Sequence, residues 1–309
     1  MKRKVIQIAE STQLISLPRK WCLENNIKKG DELEIDAENK KITITTERTP
    51  EIRRAEIHSE KFGPFLTRYI HGLYMNGVDE IKVHIKDAAD LARIQKTLSK
   101  DVGFEVVEQG PHHCLIKNIS GDIESFDQLL RRILILMLNM TDEGLNFVKE
   151  NKFKELSHLM TLEEANNRFT ISCRRYLNRK GHPQFKVGPL YYIVEELEKL
   201  ADEYKYFYKV LVASAPAPAT KTLLVGQMTR MNHALRLLTE CFYKFDAQKL
   251  VEIHEMKESV MQKWHDLTTS KKTPAEQLVL GHHIVTIAQK IANFTGLLVA
   301  MQGDSAPAV

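Results

Sequence analysis

The stretch Leu197-Glu198-Lys199-Leu200-Ala201-Asp202-Glu203-Tyr204-Lys205-Tyr206-Phe207-Tyr208-Lys209-Val210-Leu211-Val212-Ala213 decides how most of the chain is read. Its apolar residues recur at steps of three and four, which puts them on one face of an α-helix. Leu197, Leu200, Ala201, Tyr204, Phe207, Val210, Val212 and Ala213 align without gaps with Ile284, Ile287, Ala288, Ile291, Phe294, Leu297, Val299 and Ala300, at a constant offset of 87. An ungapped match along a whole helix marks an internal repeat. Each half also carries a polar break: Asn151 precedes Phe153-Lys154-Glu155-Leu156, and Asp246 precedes Gln248-Lys249-Leu250. The spacing predicts three helices per repeat, at about 124–150, 152–179 and 189–212, then about 222–245, 247–268 and 274–301.

Proline placement agrees. No proline lies between Pro111 and Pro183, or between Pro218 and Pro274, and proline is excluded from helix interiors because it has no N–H to donate. Ala215-Pro216-Ala217-Pro218-Ala219 reads as the joint between the repeats. One apolar stripe per helix predicts two packed three-helix bundles.

Upstream, residues 55–118 mix the two periodicities. Phe65, Tyr69, Ile70, Leu73 and Tyr74 keep helical spacing, Ile81, Val83 and Ile85 alternate, and Ala89, Leu91, Ile94 and Leu98 are helical again. Phe104-Val106-Val107 and Cys114-Leu115-Ile116 then form two strands around Gly110-Pro111, giving a small module of order αβαββ. It holds no glycine-rich phosphate loop. His112-His113 would point to opposite faces of a strand, a poor chelating pair. Whether the module connects or senses a ligand is left open by the residues.

The first 46 residues alternate quickly. Val5, Ile6 and Ile8 form one strand and Leu14, Ile15 and Leu17 another, with Glu10-Ser11-Thr12-Gln13 as the turn. Pro18 opens a short helix containing Trp21, Cys22 and Leu23. Leu33–Ile35 and Ile42–Ile44 are strands joined by Glu38-Asn39-Lys40. So small a unit buries little apolar surface alone and is expected to dimerise.

The net charge of +4 over 309 residues is mild, but residues 1–55 carry 12 Lys and Arg against 9 Asp and Glu. No uninterrupted apolar run nears the ~18 residues that span a bilayer. The basic start Lys2-Arg3-Lys4 is followed by Gln7 and Glu10 rather than a signal-peptide apolar block. No membrane insertion and a cytoplasmic location are expected. Cys22, Cys114, Cys173 and Cys241 make no CxxC and read as reduced core thiols. There is no GxSxG, P-loop, HExxH or GxGxxG, so no catalytic activity is expected.

Two resemblances refine this reading. Leu14-Ile15-Ser16-Leu17-Pro18-Arg19-Lys20-Trp21, followed by Ile27-Lys28-Lys29-Gly30-Asp31-Glu32-Leu33, resembles the AbrB/MazE/SpoVT-type swapped-hairpin domain. The resemblance implies an intertwined β dimer that binds DNA or a partner protein, with Lys2, Arg3, Lys4, Arg19 and Lys20 as the DNA-facing set. Such cations would neutralise phosphates without reading sequence. The residues alone also allow ordinary solvated charges and a purely dimerising role.

The helical half is similar to the PhoU family of phosphate-uptake regulators, on Leu197-Glu198-Lys199-Leu200-Ala201-Asp202, Leu162-Glu163 with Asn167-Arg168, and Phe126-Asp127-Gln128-Leu129-Leu130-Arg131-Arg132. An AbrB-like start joined to a PhoU-like remainder is an archaeal-type arrangement. That family binds iron or zinc through acids four apart, a spacing that puts two carboxylates on one helix face. The implied metal residues are Glu163, Asn167, Glu198 and Asp202, although Asn167 stands where an acid is expected. In the second repeat Val285 and Gln289 replace the pair. The bland alternative is an exposed helix face with no ion. His254, Glu258, His265 and His282-His283 fall outside the motif and read as surface or boundary residues.

The expected fold is thus multidomain α+β and mainly α: residues 1–48 a swapped-hairpin domain, 55–118 an α/β module, and 122–214 and 220–302 the two bundles. The expected role is a dimeric regulator of phosphate homeostasis that binds DNA. The alternatives are an adaptor that binds a phosphate-transporter ATPase or a signalling protein, and a metal-binding bundle.

Overall fold

The computed structural model describes residues 2–8, 12–38, 41–46, 52–120, 125–270 and 272–301. The chain divides into two compact units, Met1–Ile52 and Arg53–Val309. The expected turn residues Glu10, Ser11, Asn39 and Lys40, and the segment 121–124, lie outside the described residues.

The first unit is two antiparallel hairpins and one short helix. Strand β1 (Val5–Ile8) pairs with β2 (Thr12–Ile15) in the register Val5↔Ile15 to Ile8↔Thr12. Thr12 and Gln13, expected in the turn, belong to β2, because ladder pairing with Ile8 and Gln7 extends that far. Helix α1 (Arg19–Glu24) follows Pro18, which stands at the N-cap. Asn26 leaves the helix at φ 48, a conformation that asparagine tolerates. Strand β3 (Leu33–Glu38) pairs with β4 (Lys41–Thr46) from Leu33↔Thr46 to Glu38↔Lys41. Val5, Ile6, Ile8, Leu14, Ile15, Ile35 and Ile42 are each roughly half exposed or more. Apolar side chains on strands that cover nothing are the main physical feature of this unit.

The second unit begins with a four-stranded sheet. Its strands are β5 (Arg54–His58), β6 (Glu80–His84), β7 (Phe104–Gln109) and β8 (His113–Asn118), in the order β5-β6-β8-β7. β5 and β6 are parallel, joined through α2 (Leu66–Met75), whereas β8 runs antiparallel to both its neighbours. Helix α3 (Ala88–Leu98) starts at Asp87, whose side chain accepts from the Asp90 N–H at 3.0 Å. The order is therefore βαβαββ, not αβαββ. Strand β5 escaped the pattern because Arg54-Ala55-Glu56-Ile57-His58 offers one large apolar residue, enough for an edge strand buried at Ile57 alone. Leu66, Ile70, Tyr74, Ile81, Val83, Ile94, Phe104, Cys114 and Ile116 form the core beneath the sheet.

Six long helices follow: α4 (Phe126–Lys149), α5 (Met160–Lys180), α6 (Val187–Ala213), α7 (Pro218–Tyr243), α8 (Ala247–Thr269) and α9 (Ala275–Met301). Ser125 and Gln128 form a capping box on α4, satisfying two N–H groups that a helix start leaves orphaned. Asn151 does break the chain, at φ 58, and Phe153–Leu159 then winds as a 3-10 helix before α5 begins. Leu197, Leu200, Ala201, Tyr204 and Phe207 of α6 are buried, as are their repeat partners Ile284, Ile287, Ala288, Ile291 and Phe294 of α9. One continuous hydrophobic core runs from Phe126 to Met301, so the two repeats share an interior. Helix α9 is long and apolar enough, by length and composition, to cross a membrane, although no single run showed it; less than half of its most apolar window is buried.

Candidate functional site

The carboxylates of α5 and α6 do not converge on one point. Glu163 is 3% exposed and accepts from the Lys205 ammonium at 3.0 Å and from the Asn167 amide at 2.5 Å. Asp202 accepts from the same ammonium at 2.5 Å. Burial pushes the Glu163 carboxyl above its ordinary range; Lys205 opposes the rise and Asp202 adds to it. Burial would lower Lys205, but its bonds to Asp202 and Glu163 outweigh that and hold it above its usual value. Glu198 is engaged elsewhere: the Arg174 guanidinium spans Glu195 and Glu198, and the Thr170 hydroxyl donates to Glu198 at 3.1 Å.

The structure thus brings Glu163, Asn167 and Asp202 together around Lys205 and assigns Glu198 to Arg174. A multinuclear iron or zinc site needs several anionic donors without a resident cation. Two carboxylates, one amide and an ammonium among them do not fit one. Among the described residues there is no group of three or more His, Cys, Asp or Glu placed to hold a metal ion. His283 is a boundary residue, and its Nδ1, 2.7 Å from Glu203 Oε1, ties α9 to α6.

The five N-terminal cations have a different geometry. Lys2, Arg3 and Lys4 lead directly into β1, and all are exposed. The pairing Val5↔Ile15 puts the start of β1 beside the end of β2, and only Ser16 to Pro18 separate Ile15 from α1. Antiparallel register therefore delivers Lys4 and the α1 start to the same end of one hairpin. Arg19 and Lys20 are exposed on that start, with Lys20 3.7 Å from Glu24 in a loose pair. Such an exposed pair is weak, roughly 0.3–0.5 kcal/mol, and a phosphate could replace the carboxylate.

Residues 6–52 match the family model described as antidote-toxin recognition MazE, bacterial antitoxin. The N-terminal segment is a MazE/AbrB-like domain. No curated protein and no solved structure matches the chain. The matched segment contains Arg19, Lys20 and both hairpins apart from Val5, and Lys2, Arg3 and Lys4 stand just before it.

Two features of the second unit were not visible in the sequence. Arg175 of α5, 1% exposed, donates to the carbonyls of Tyr74 and Val78 and to Asp79, and packs over the rings of Tyr74 and Phe104. Arg179 adds bonds to Gly77 and Asp79. These contacts fasten the α/β module to the helices. Beside them, α2 and α3 face α5 and α6 across an open cleft with basic residues on one wall. Neither arginine nor cleft carries a local motif, because each exists only once distant segments meet.

Proposed function

We propose that the chain is a dimeric cytoplasmic regulator of phosphate homeostasis, a DNA-binding protein and not an enzyme. Its MazE/AbrB-like domain dimerises and contacts DNA through Lys2, Arg3, Lys4, Arg19 and Lys20. The PhoU-like helices report phosphate state through a partner, a phosphate-transporter ATPase or a signalling protein. No metal is required. The observation that carries the DNA reading is the gathering of five exposed cations at one end of a hairpin in a MazE/AbrB-like domain. A partner can act on DNA binding only by favouring one arrangement of the dimer over another.

A second reading has its own observation. Exposed Val5, Ile6, Ile8, Leu14 and Ile15 offer a surface suited to protein. On that reading the domain only assembles the chain, which works as an adaptor or antitoxin-type partner.

The test is binding of purified protein to promoter DNA from upstream of phosphate-transport genes, against scrambled DNA, at two salt concentrations. The DNA reading expects a preference that survives the higher salt. Arg19→Ala with Lys20→Ala should weaken binding to both DNAs and flatten the salt dependence, by about 0.9 in log–log slope for each phosphate no longer neutralised. Equal, weak binding that disappears with salt would leave the adaptor reading in front.

A further inference from the structure

The cleft between α2–α3 and α5–α6 has a volume of about 360 Å³. Its two walls differ in chemistry. On one side stand Arg68 and His71 of α2, three apart, with Lys96 in the last turn of α3 and Lys100 just beyond its end. Residues three apart share a helix face, so α2 turns Arg68 and His71 the same way, and Lys96 and Lys100 line the cleft together around the C-terminus of α3. Arg93 stands one turn before Lys96 but is taken by Asp90. Among the described residues, Arg68, Lys96 and Lys100 have no carboxylate partner. Like charges gathered on one wall repel, an unfavourable arrangement that a bound anion reverses. His71 is oriented by the buried Asp101, 2.6 Å from its Nδ1, which leaves Nε2 as the nitrogen for a ligand.

The opposite wall offers acceptors. Glu198 lines it with its Oε2 already taken by Arg174 and Thr170, so Oε1 is the acceptor on offer, and the Asn167 side-chain oxygen is buried without a hydrogen-bond partner. Buried acceptors are costly to leave unmet. Ile171 supplies apolar surface between them. A bare oxyanion would use the cationic wall and leave the other one unanswered. The volume is that of a small-molecule pocket, with room beyond a single phosphate.

We infer that this cleft binds a small phosphate ester whose organic part carries hydroxyl or amino donors, the chemical class of nucleotides and sugar phosphates. The phosphate lies against Arg68, Lys96 and Lys100, and the donors meet Glu198 and Asn167. The inference stands on the second unit alone and does not depend on whether the N-terminal domain binds DNA.

Calorimetric titration of the full chain tests it, with adenosine monophosphate, ribose 5-phosphate, adenosine, inorganic phosphate and sulfate as probes. At least one ester should bind more tightly than inorganic phosphate or sulfate, and adenosine should not bind. Removing Arg68, Lys96 and Lys100 together as alanines should weaken the ester by about a hundredfold or more, at roughly tenfold per charge-assisted hydrogen bond. Lys154→Ala, on a distant exposed lysine, should leave it unchanged. Thr97→Trp keeps every cation but fills the cleft, and should also abolish binding while the melting temperature holds. Failure of both esters to bind, affinity indifferent to the triple variant, or inorganic phosphate and sulfate bound as tightly as the esters would each overturn the assignment.

Discussion

At the scale of single residues, Glu163 shows how the fold uses an acid that the sequence suggests for a metal. The carboxylate is buried against Lys205 and Asn167, and its pKa is raised mainly by burial. An acid whose folded pKa exceeds its unfolded one binds its proton more tightly in the native state. Stability then falls as pH climbs from the unfolded value of 4.5 through the higher folded one. Glu163→Gln removes this titration and keeps the shape, while Lys205 retains Asp202. Near pH 4 the variant and the parent should be equally stable. Towards pH 7 the variant should become the more stable of the two, as read from urea midpoints across that range. A parent that gains on the variant as pH rises would show that the ion pair with Lys205 dominates burial. The i, i+4 spacing of Glu163 and Asn167 was legible; the lysine between the acids was not, since it arrives from α6.

At the scale of elements, chain breaks were the most legible feature. Asn151 and Asp246 stood out as polar interruptions, and the structure gives each a mechanism. Asn151 adopts φ 58, which asparagine enters more readily than most residues. Asp246 caps α8 by accepting from the Gln248 and Lys249 N–H groups. Both signals are local, so a sequence can carry them. The packing of α5 on the sheet is not local: it depends on Arg175, about a hundred residues from the carbonyls it serves. Arg175→Ala takes the side-chain donor from the Val78 carbonyl and from the Tyr74 carbonyl, which keeps the Gly77 N–H, and opens a cavity beside two rings. Asp79 keeps Arg179, so the cost comes from the lost donor and the cavity, about 2–5 kcal/mol, and chemical denaturation should show a drop in stability of that order. Arg179→Ala should cost less, since it is 18% exposed and Arg175 still holds Asp79. Equal costs would mean that Asp79, shared by both, carries the junction.

At the scale of the whole molecule, the two units differ in how they obtain a core. The second encloses its own: its helices share one continuous interior, and the sheet has another. The repeat at offset 87 made the helical interior legible, because the same apolar positions are buried on α6 and α9. The first unit has two separate two-stranded hairpins, with half or more of each large strand side chain exposed at Val5, Ile6, Ile8, Ile15, Ile35 and Ile42. An isolated two-stranded hairpin is marginal in water, and the proposed dimer supplies a second copy to cover it. Its stability then follows mass action: a tenfold rise in protein concentration adds about 1.4 kcal/mol to a dimer. Scanning calorimetry of the full chain should show a transition from the first unit that moves up with concentration and one from the second that stays fixed. Ile6→Glu places a charge on a strand meant to be covered. It should abolish the moving transition and return the chain from twice 35.6 kDa to 35.6 kDa in solution, with helix content retained. If both transitions ignored concentration, the hairpins would have to be covered from within the same chain, and the dimer would be lost along with the DNA reading that depends on it.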